Sequence, residues 1–183
     1  VVGGGAPKGL CGSGLLDLAA VLLEREVITP GGRLLPPEEA PAEMRRWLER
    51  DAQGNGVFHL TPEVSLTAED VRALQLAKAA VAAGIQVLLE RRGIAADKLD
   101  GIYLAGGFGN YLAPKSAVCI GMLPEACAGR LHSLGNSALA GASMLALDGR
   151  RWTEIGALTR NCRSIILSGN PAFNEAFAAH MPF

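Results

Sequence analysis

The stretch Asp100-Gly-Ile-Tyr-Leu-Ala-Gly-Gly-Phe-Gly-Asn-Tyr-Leu112 decides the fold of this chain. Its residues 102–105 form a short apolar run, typical of a buried strand, that ends in Gly106, Gly107 and Gly109. Glycine takes positive φ freely and lets a ligand approach the backbone, and open α/β sheets bind ligands beyond the carboxyl ends of their strands. The stretch therefore predicts a ligand site at this glycine loop. A tight strand-to-helix connection without a ligand is the alternative, and Gly-Gly-x-Gly alone does not decide between them.

Composition bounds the possible functions. With 183 residues and 49% hydrophobic content, the chain can bury one substantial core, as one domain or a compact pair of layers. Its 17 basic and 18 acidic residues give a net charge of -1, so we expect no nucleic acid and no anionic membrane as partner. No long uncharged apolar run and no secretion pattern is present, so we expect a cytoplasmic protein. The opening Val-Val-Gly-Gly-Gly-Ala looks like the end of a strand, which suggests a fragment of a larger protein.

The cysteines do not follow a metal-binding pattern. Their spacing is too wide for a zinc knuckle or a ferredoxin-type cluster, both of which need closely paired ligands. We therefore expect buried thiols and no metal ligands. The four positions are Cys11, Cys119, Cys127 and Cys162.

A second glycine-rich turn, at residues 7–14, leads into a helix predicted at 15–26. Ser13 is placed to cap that helix. A helix N-terminus entered through glycines also offers free N–H groups to an anion, so Gly12 and Ser13 are candidates for a phosphate contact. Capping alone is the alternative.

Between the two glycine turns the pattern predicts local structure without chemistry. Residues 29–32 form a turn, residues 42–50 a short helix and residues 57–60 a strand of a small hairpin. His59 has no evident partner in the sequence, and a structural or solvent-facing histidine is the simplest interpretation.

Thr67 is the predicted N-cap of a long helix that runs to about Arg92. Lys78 falls inside the apolar stripe of this helix, where a charged side chain is unusual and calls for an explanation. Its ammonium group either extends to the surface along its own methylenes or reaches into a ligand cleft. The predicted stripe consists of Val71, Leu74, Val81, Ile85 and Leu88.

The remaining pattern alternates helices and short strands. It predicts helices at 114–122, 137–147, 152–161 and 171–180, with Asn170 capping the last, and strands at 130–134 and 164–167.

Short motifs are spaced along the whole chain. They are Lys8-Gly-Leu-Cys-Gly-Ser-Gly-Leu-Leu-Asp17, Ala77-Lys-Ala-Ala80, Ala83-Gly-Ile85, Tyr103-Leu-Ala-Gly-Gly-Phe-Gly109, Ile120-Gly-Met-Leu-Pro124 and Gly135-Asn-Ser-Ala-Leu-Ala-Gly141. Taken together, these motifs resemble the reductive activators of corrinoid proteins, which are ATP-dependent iron–sulfur proteins of the actin-like ATPase superfamily. The resemblance covers essentially the whole chain, in the family's motif order.

The resemblance implies a function. In such proteins two ribonuclease-H-like halves bind ATP and magnesium, and residues 104–110 correspond to the adenosine-binding loop, with Gly106, Gly107, Phe108, Gly109 and Asn110 as its contacts. The preceding helix would line the adenine pocket, with Lys78 beside the base. ATP hydrolysis would drive electron transfer from an N-terminal [2Fe-2S] domain to a corrinoid protein, returning cob(II)alamin to cob(I)alamin. A homodimer is also implied.

The chain departs from the family pattern in two respects. It lacks the Asp-Gly-Thr type phosphate loops and the cysteine cluster of the ferredoxin domain, so we expect a C-terminal fragment without catalytic residues of its own. A dehydratase activator, or a binding and dimerisation module that never hydrolyses ATP, are the alternatives. The expected fold is α/β, the C-terminal part of an actin-like ATPase with a short mixed sheet packed by helices, spanning residues 1–183 with an insertion at 27–66.

Overall fold

The structure is a computed structural model that describes residues 4–106 and 111–183. Its helices are α1 (Gly12–Glu24), α2 (Ala68–Arg92), α3 (Pro114–Cys119), α4 (Ser137–Leu147), α5 (Arg151–Asn161) and α6 (Pro171–Ala179). Short 3-10 turns occupy Arg45–Trp47, Ala96–Lys98 and Glu125–Arg130. The strands are β1 (Leu48–Arg50), β2 (Gly56–Thr61), β3 (Val64–Leu66), β4 (Ile102–Ala105) and β5 (Leu131–Gly135).

The strands form two small sheets. The first is an antiparallel meander, β1-β2-β3, in which Leu48 pairs with Phe58 and Phe58 with Leu66. The second is a parallel pair, β4-β5, joined by a crossover that contains α3. The predicted α/β class is therefore confirmed, with the antiparallel and parallel pairings in separate sheets.

One apolar core joins α1, the insertion, α2 and α3. It forms because α1 presents one apolar face and the turn after it folds back, with Ile28 bridged to Leu34. Side chains at most 1% exposed include Leu22, Val27, Ile28, Leu34, Leu66, Val71 and Ile120.

Helix α2 follows the sequence signals closely at its ends. Thr67 accepts a hydrogen bond from the Asp70 N–H while the Asp70 carboxylate accepts one from the Thr67 N–H, a complete capping box. Gly93 ends the helix with φ +63°, a left-handed conformation that favours glycine. Both predicted ends are confirmed.

The predicted stripe of α2 is partly wrong. Val81 and Leu88 are 44% and 50% exposed, whereas the small residues Ala79, Ala82 and Ala83 are buried. Small side chains let α6 pack closely along α2, so the buried face follows the alanines rather than the larger residues.

The length and apolar composition of helix α2 are relevant to the expectation that the chain has no membrane partner. By length and composition alone, its 25 residues are apolar enough to cross a bilayer. Its buried side packs against α6 and the apolar core, as a core helix does.

Three other predictions need correction. Residues 42–50 form a 3-10 turn and strand β1 rather than a helix, because Leu48 is drawn into pairing with Phe58. Residues 164–167 form no strand, since no strand among the described residues pairs with them. Strand β4 is only half-buried: Tyr103 is 63% exposed and stacks on His132 across the sheet.

Candidate functional site

The glycine loop begins where strand β4 ends. Gly106 has φ +94°, and no described atom lies within 4 Å of where its Cβ would be. The backbone here has the conformation that favours glycine and faces open space, which suits the close approach of a ligand. Gly107, Phe108, Gly109 and Asn110 lie outside the described residues, so their predicted contacts stay predictions.

The N-terminus of α1 is capped by a different residue from the one predicted. The helix begins at Gly12, and the Sγ of Cys11 accepts a hydrogen bond from the Gly14 N–H at 3.4 Å. Ser13 is thus inside the first turn and is not the cap, because the helix starts earlier than its apolar spacing indicated. Hydrogen bonds from Ser13 and then from Gly14 lower the pKa of the exposed Cys11 thiol.

Lys78 is an internal cation. It is 1% exposed, and its Nζ donates a hydrogen bond to the carbonyl of Pro182. The ring of Phe183 lies 5.4 Å from the same Nζ, within cation–π range. Burial lowers the pKa of Lys78. The surface-extending alternative is therefore wrong, and the ammonium group has its partners in the last two residues.

A cavity of about 550 Å³ lies beside Lys78, in the range of small-molecule sites. Gly121 links the two: it lines the cavity, and a Cβ there would lie 3.4 Å from the Lys78 Nζ. The walls come from the second half of α2, the residues after α3, and His180. Most of them are apolar, including Ile85, Leu89, Ile94, Val118 and Leu123.

One wall of this cavity carries a chain of polar side chains. His180 Nε2 lies 2.9 Å from Gln86 Oε1, and Gln86 Nε2 donates to Glu90 Oε1 at 2.8 Å. Burial, and then the charge of Lys78, lower the pKa of His180. Of the predicted site residues that the structure describes, Gly12, Ser13, Lys78 and Gly106, none lines the cavity. The i, i+4 pair of Gln86 and Glu90 on the predicted helix was the available sequence signal.

The predicted site residues are not brought together by any contact among the described residues. Lys78 contacts the C-terminal residues, Ser13 contacts Cys11 at 3.4 Å, and Gly106 faces open space. Helix α1 does pack against α2 and α3, so the two glycine turns belong to one folded body.

The thiols do not fit an iron–sulfur cluster. Cys127 is buried, as predicted, and Cys119 is only half-buried. Cys11 and Cys162 are exposed, which corrects the expectation of buried thiols for these two. Across residues 4–106 and 111–183, no three His, Cys, Asp or Glu side chains are grouped so as to hold a metal ion.

Comparison with known proteins identifies the class. A family profile described as "C-terminal domain of RACo the ASKHA domain" matches residues 1–183. The chain therefore belongs to the RACo C-terminal, ASKHA-domain family, and the resemblance predicted from its motifs is confirmed.

Two individual proteins match over the whole chain. The "Corrinoid activation enzyme RamQ" of Eubacterium limosum is 33% identical over 192 aligned residues, with 100% of this chain and 32% of that protein covered. A solved structure, "Reductive activator for corrinoid,iron-sulfur protein", superposes with a TM-score of 0.85 at 30% identity, covering 100% of this chain and 29% of that one. This chain spans about a third of the length of each.

Proposed function

We propose that this chain is the nucleotide-binding part of a protein that reductively reactivates a corrinoid protein, converting cob(II)alamin to cob(I)alamin. The observation that carries the proposal is that both whole-chain relatives, at 33% and 30% identity, are named for corrinoid activation. The conversion adds one electron to cobalt. A [2Fe-2S] domain outside this chain would supply that electron, and ATP with magnesium would supply the free energy.

The residues of this chain would hold the nucleoside part of ATP. Gly106 adopts positive φ with no described atom near the position of its Cβ, which would let the backbone approach a ligand closely. We propose that the loop it begins, with Gly107, Phe108, Gly109 and Asn110, contacts adenosine. Gly12 and Ser13, in the first turn of α1, would meet the phosphates through free N–H groups.

Lys78 takes a different place in this proposal from the one its sequence position suggested. Because its ammonium group is bound by Pro182 and Phe183, it would support the nucleotide site by fixing α2 against the core.

Three further properties complete the proposal. We propose that the chain forms the C-terminal subdomain of the ATPase over residues 1–183, with 27–66 as an insertion whose second half folds as the β1-β2-β3 meander. We also propose that the whole protein is a homodimer and acts in the cytoplasm on a corrinoid protein.

The reaction is tested with the whole protein, ATP, an electron donor and a corrinoid methyl-transfer protein in the cob(II) state. We expect ATP-dependent loss of the cob(II) absorbance and appearance of the cob(I) absorbance. Conversion at the same rate without ATP, or no conversion with ATP, would contradict the proposed function.

The nucleotide site is tested with two glycine variants, by calorimetric titration of ATP into the whole protein. Gly106 and Gly169 both have positive φ, +94° and +71°, and both face open space among the described residues. Alanine at either position costs roughly 1–2 kcal/mol of backbone strain. We expect Gly106→Ala to weaken ATP binding about tenfold by shifting the loop, and Gly169→Ala to leave binding unchanged. Equal effects from the two variants would remove the glycine loop as the site.

A further inference from the structure

A second concave site lies on another side of α2 and gathers positive charge. It is a pocket of about 720 Å³ between the last turns of α2 and the segment that follows α5. Three arginines surround it, Arg91 and Arg92 from the helix and Arg163 from the segment. The remaining lining residues are Leu88, Asn161, Ser164 and Ile165.

The three arginines have no carboxylate partner among the described residues. In the part of the chain that the structure describes, no carboxylate forms an ion pair or a hydrogen bond with Arg91, Arg92 or Arg163. Some arginines elsewhere do bind carboxylates: Arg33 binds Glu39 through two hydrogen bonds, and Arg150 binds Asp148. A chain with a net charge of -1 thus leaves three positive charges together around one pocket.

The helix dipole explains only part of this cluster. Basic residues in the last turn of a helix are stabilised by the carbonyl groups there, which accounts for Arg91 and Arg92. It does not account for Arg163, which comes from a different element and is placed on the same pocket. All three arginines are exposed, and an anion bound between them would offset the repulsion of their like charges.

We propose that this arginine pocket binds the phosphate or pyrophosphate group of a small molecule. Each guanidinium carries five N–H donors in a planar fork that matches phosphate oxygens, and the Ser164 hydroxyl adds another donor. Leu88 and Ile165 provide apolar surface for the body of such a ligand. The volume lies in the range of small-molecule sites.

The arginine pocket is separate from the glycine loop. Helix α2 ends at Arg92 and connects through the 3-10 turn Ala96–Lys98 to the start of β4, whereas Gly106 follows the end of β4. Arg130 Nη1 donates to the carbonyls of Asp97 and Leu99 at 2.8 and 2.6 Å and so fixes the segment that leads into β4. Gly106 does not line the arginine pocket, and the inference does not rest on the proposed function.

The test is calorimetric titration of sodium pyrophosphate, without ATP, into the whole protein at low salt. We expect saturable binding to the wild type. The affinity should be about tenfold weaker in each of the single variants Arg91→Gln and Arg163→Gln, because each loses a charge-assisted hydrogen bond. Arg72→Gln is the matched control, since Arg72 is exposed on the same helix but far from the pocket. Its affinity should equal that of the wild type.

Two outcomes would overturn the arginine pocket. One is the absence of saturable pyrophosphate binding, or a loss of affinity in the control Arg72→Gln that equals the loss in Arg91→Gln and Arg163→Gln. The other is loss of pyrophosphate binding in Gly106→Ala with full binding in Arg91→Gln, which would assign the anion to the glycine loop. Failure of ATP to bind or of cob(I) to form would bear on the proposed function and leave the pyrophosphate result intact.

Discussion

Two regions of this chain have a similar share of apolar residues but differ in how many of these side chains are buried. In the first region, residues 12–123, Leu22 and Ile120 are completely buried in the shared core. In the second region, residues 131–161, helix α4 is built almost wholly from apolar and small residues, and none of its 11 residues is buried. Leu147 there is 88% exposed.

The difference shows that apolar composition and burial are separate properties. A helix that is apolar on all sides is typical of a site surrounded by other elements, and parallel strands such as β4 and β5 are ordinarily covered on both faces. In the first region α1, the insertion and α2 cover one another. In the second region the described residues provide no such cover for α4.

Large-to-small substitutions give the largest expected contrast between the regions. We expect Ile120→Ala to lower the free energy of unfolding by about 2–5 kcal/mol, because it opens a cavity at a fully buried site. Leu147→Ala should change it by less than about 0.5 kcal/mol. Urea denaturation followed by circular dichroism measures both. Similar losses for the two variants would mean that Leu147 is covered in solution.

Helix caps give a smaller contrast. Thr67 caps α2 and Asn136 caps α4, each through a side-chain oxygen that accepts a backbone N–H. Thr67→Ala should lower the free energy of unfolding by about 1 kcal/mol, since α2 is part of the cooperative core. In Asn136→Ala we expect the loss to be local, seen as faster amide hydrogen exchange in α4 with little change in global stability. Equal global losses would show that α4 unfolds together with the core.

Lys78 gives the smallest expected effect, through pH. Because burial lowers its pKa, the folded state binds fewer protons than the unfolded state between that lowered pKa and the ordinary value of 10.5. Stability of the wild type should therefore rise with pH through this interval. Lys78→Met keeps the length of the side chain and removes the titration, so the rise should be absent from the stability curve of the variant, and the difference between the two curves should isolate it. An unchanged pH dependence would contradict the burial of the ammonium group.

The same variant provides a spectroscopic check. The charge of Lys78 is the second cause of the lowered pKa of His180, after burial. In Lys78→Met, NMR titration of the His180 imidazole should show a higher pKa than in the wild type. The pKa of His180 should stay below its ordinary value of 6.5, because burial still lowers it.

The sequence was a good guide wherever a few neighbouring residues determine the structure. The Thr67 cap, the Gly93 helix end and the Asn170 cap are all local signals, and the structure has each of them. Strand β4 and its glycine ending were predicted for the same reason.

Predictions failed where a distant partner decides the structure. Leu48 lies in a strand because Phe58 pairs with it, and the 164–167 segment, although apolar, has no strand to pair with among the described residues. The site shows the same limit. The burial of Lys78 depends on Pro182, and the arginine pocket depends on Arg163 coming next to Arg91, neither of which a local pattern reveals.

The contact between Lys78 and Pro182 also has a consequence for biosynthesis. It joins positions 104 residues apart, and the N–H of Phe183 donates to the carbonyl of Pro30, at a still larger separation. Chain synthesis proceeds at about 5–20 residues per second, so α2 is complete several seconds before its lysine can meet its partner. Contacts between such distant positions are slow to form, because the intervening chain must first be ordered. During translation, the nascent chain therefore holds an unpaired cation on the inner face of α2 until residues 182 and 183 have been made.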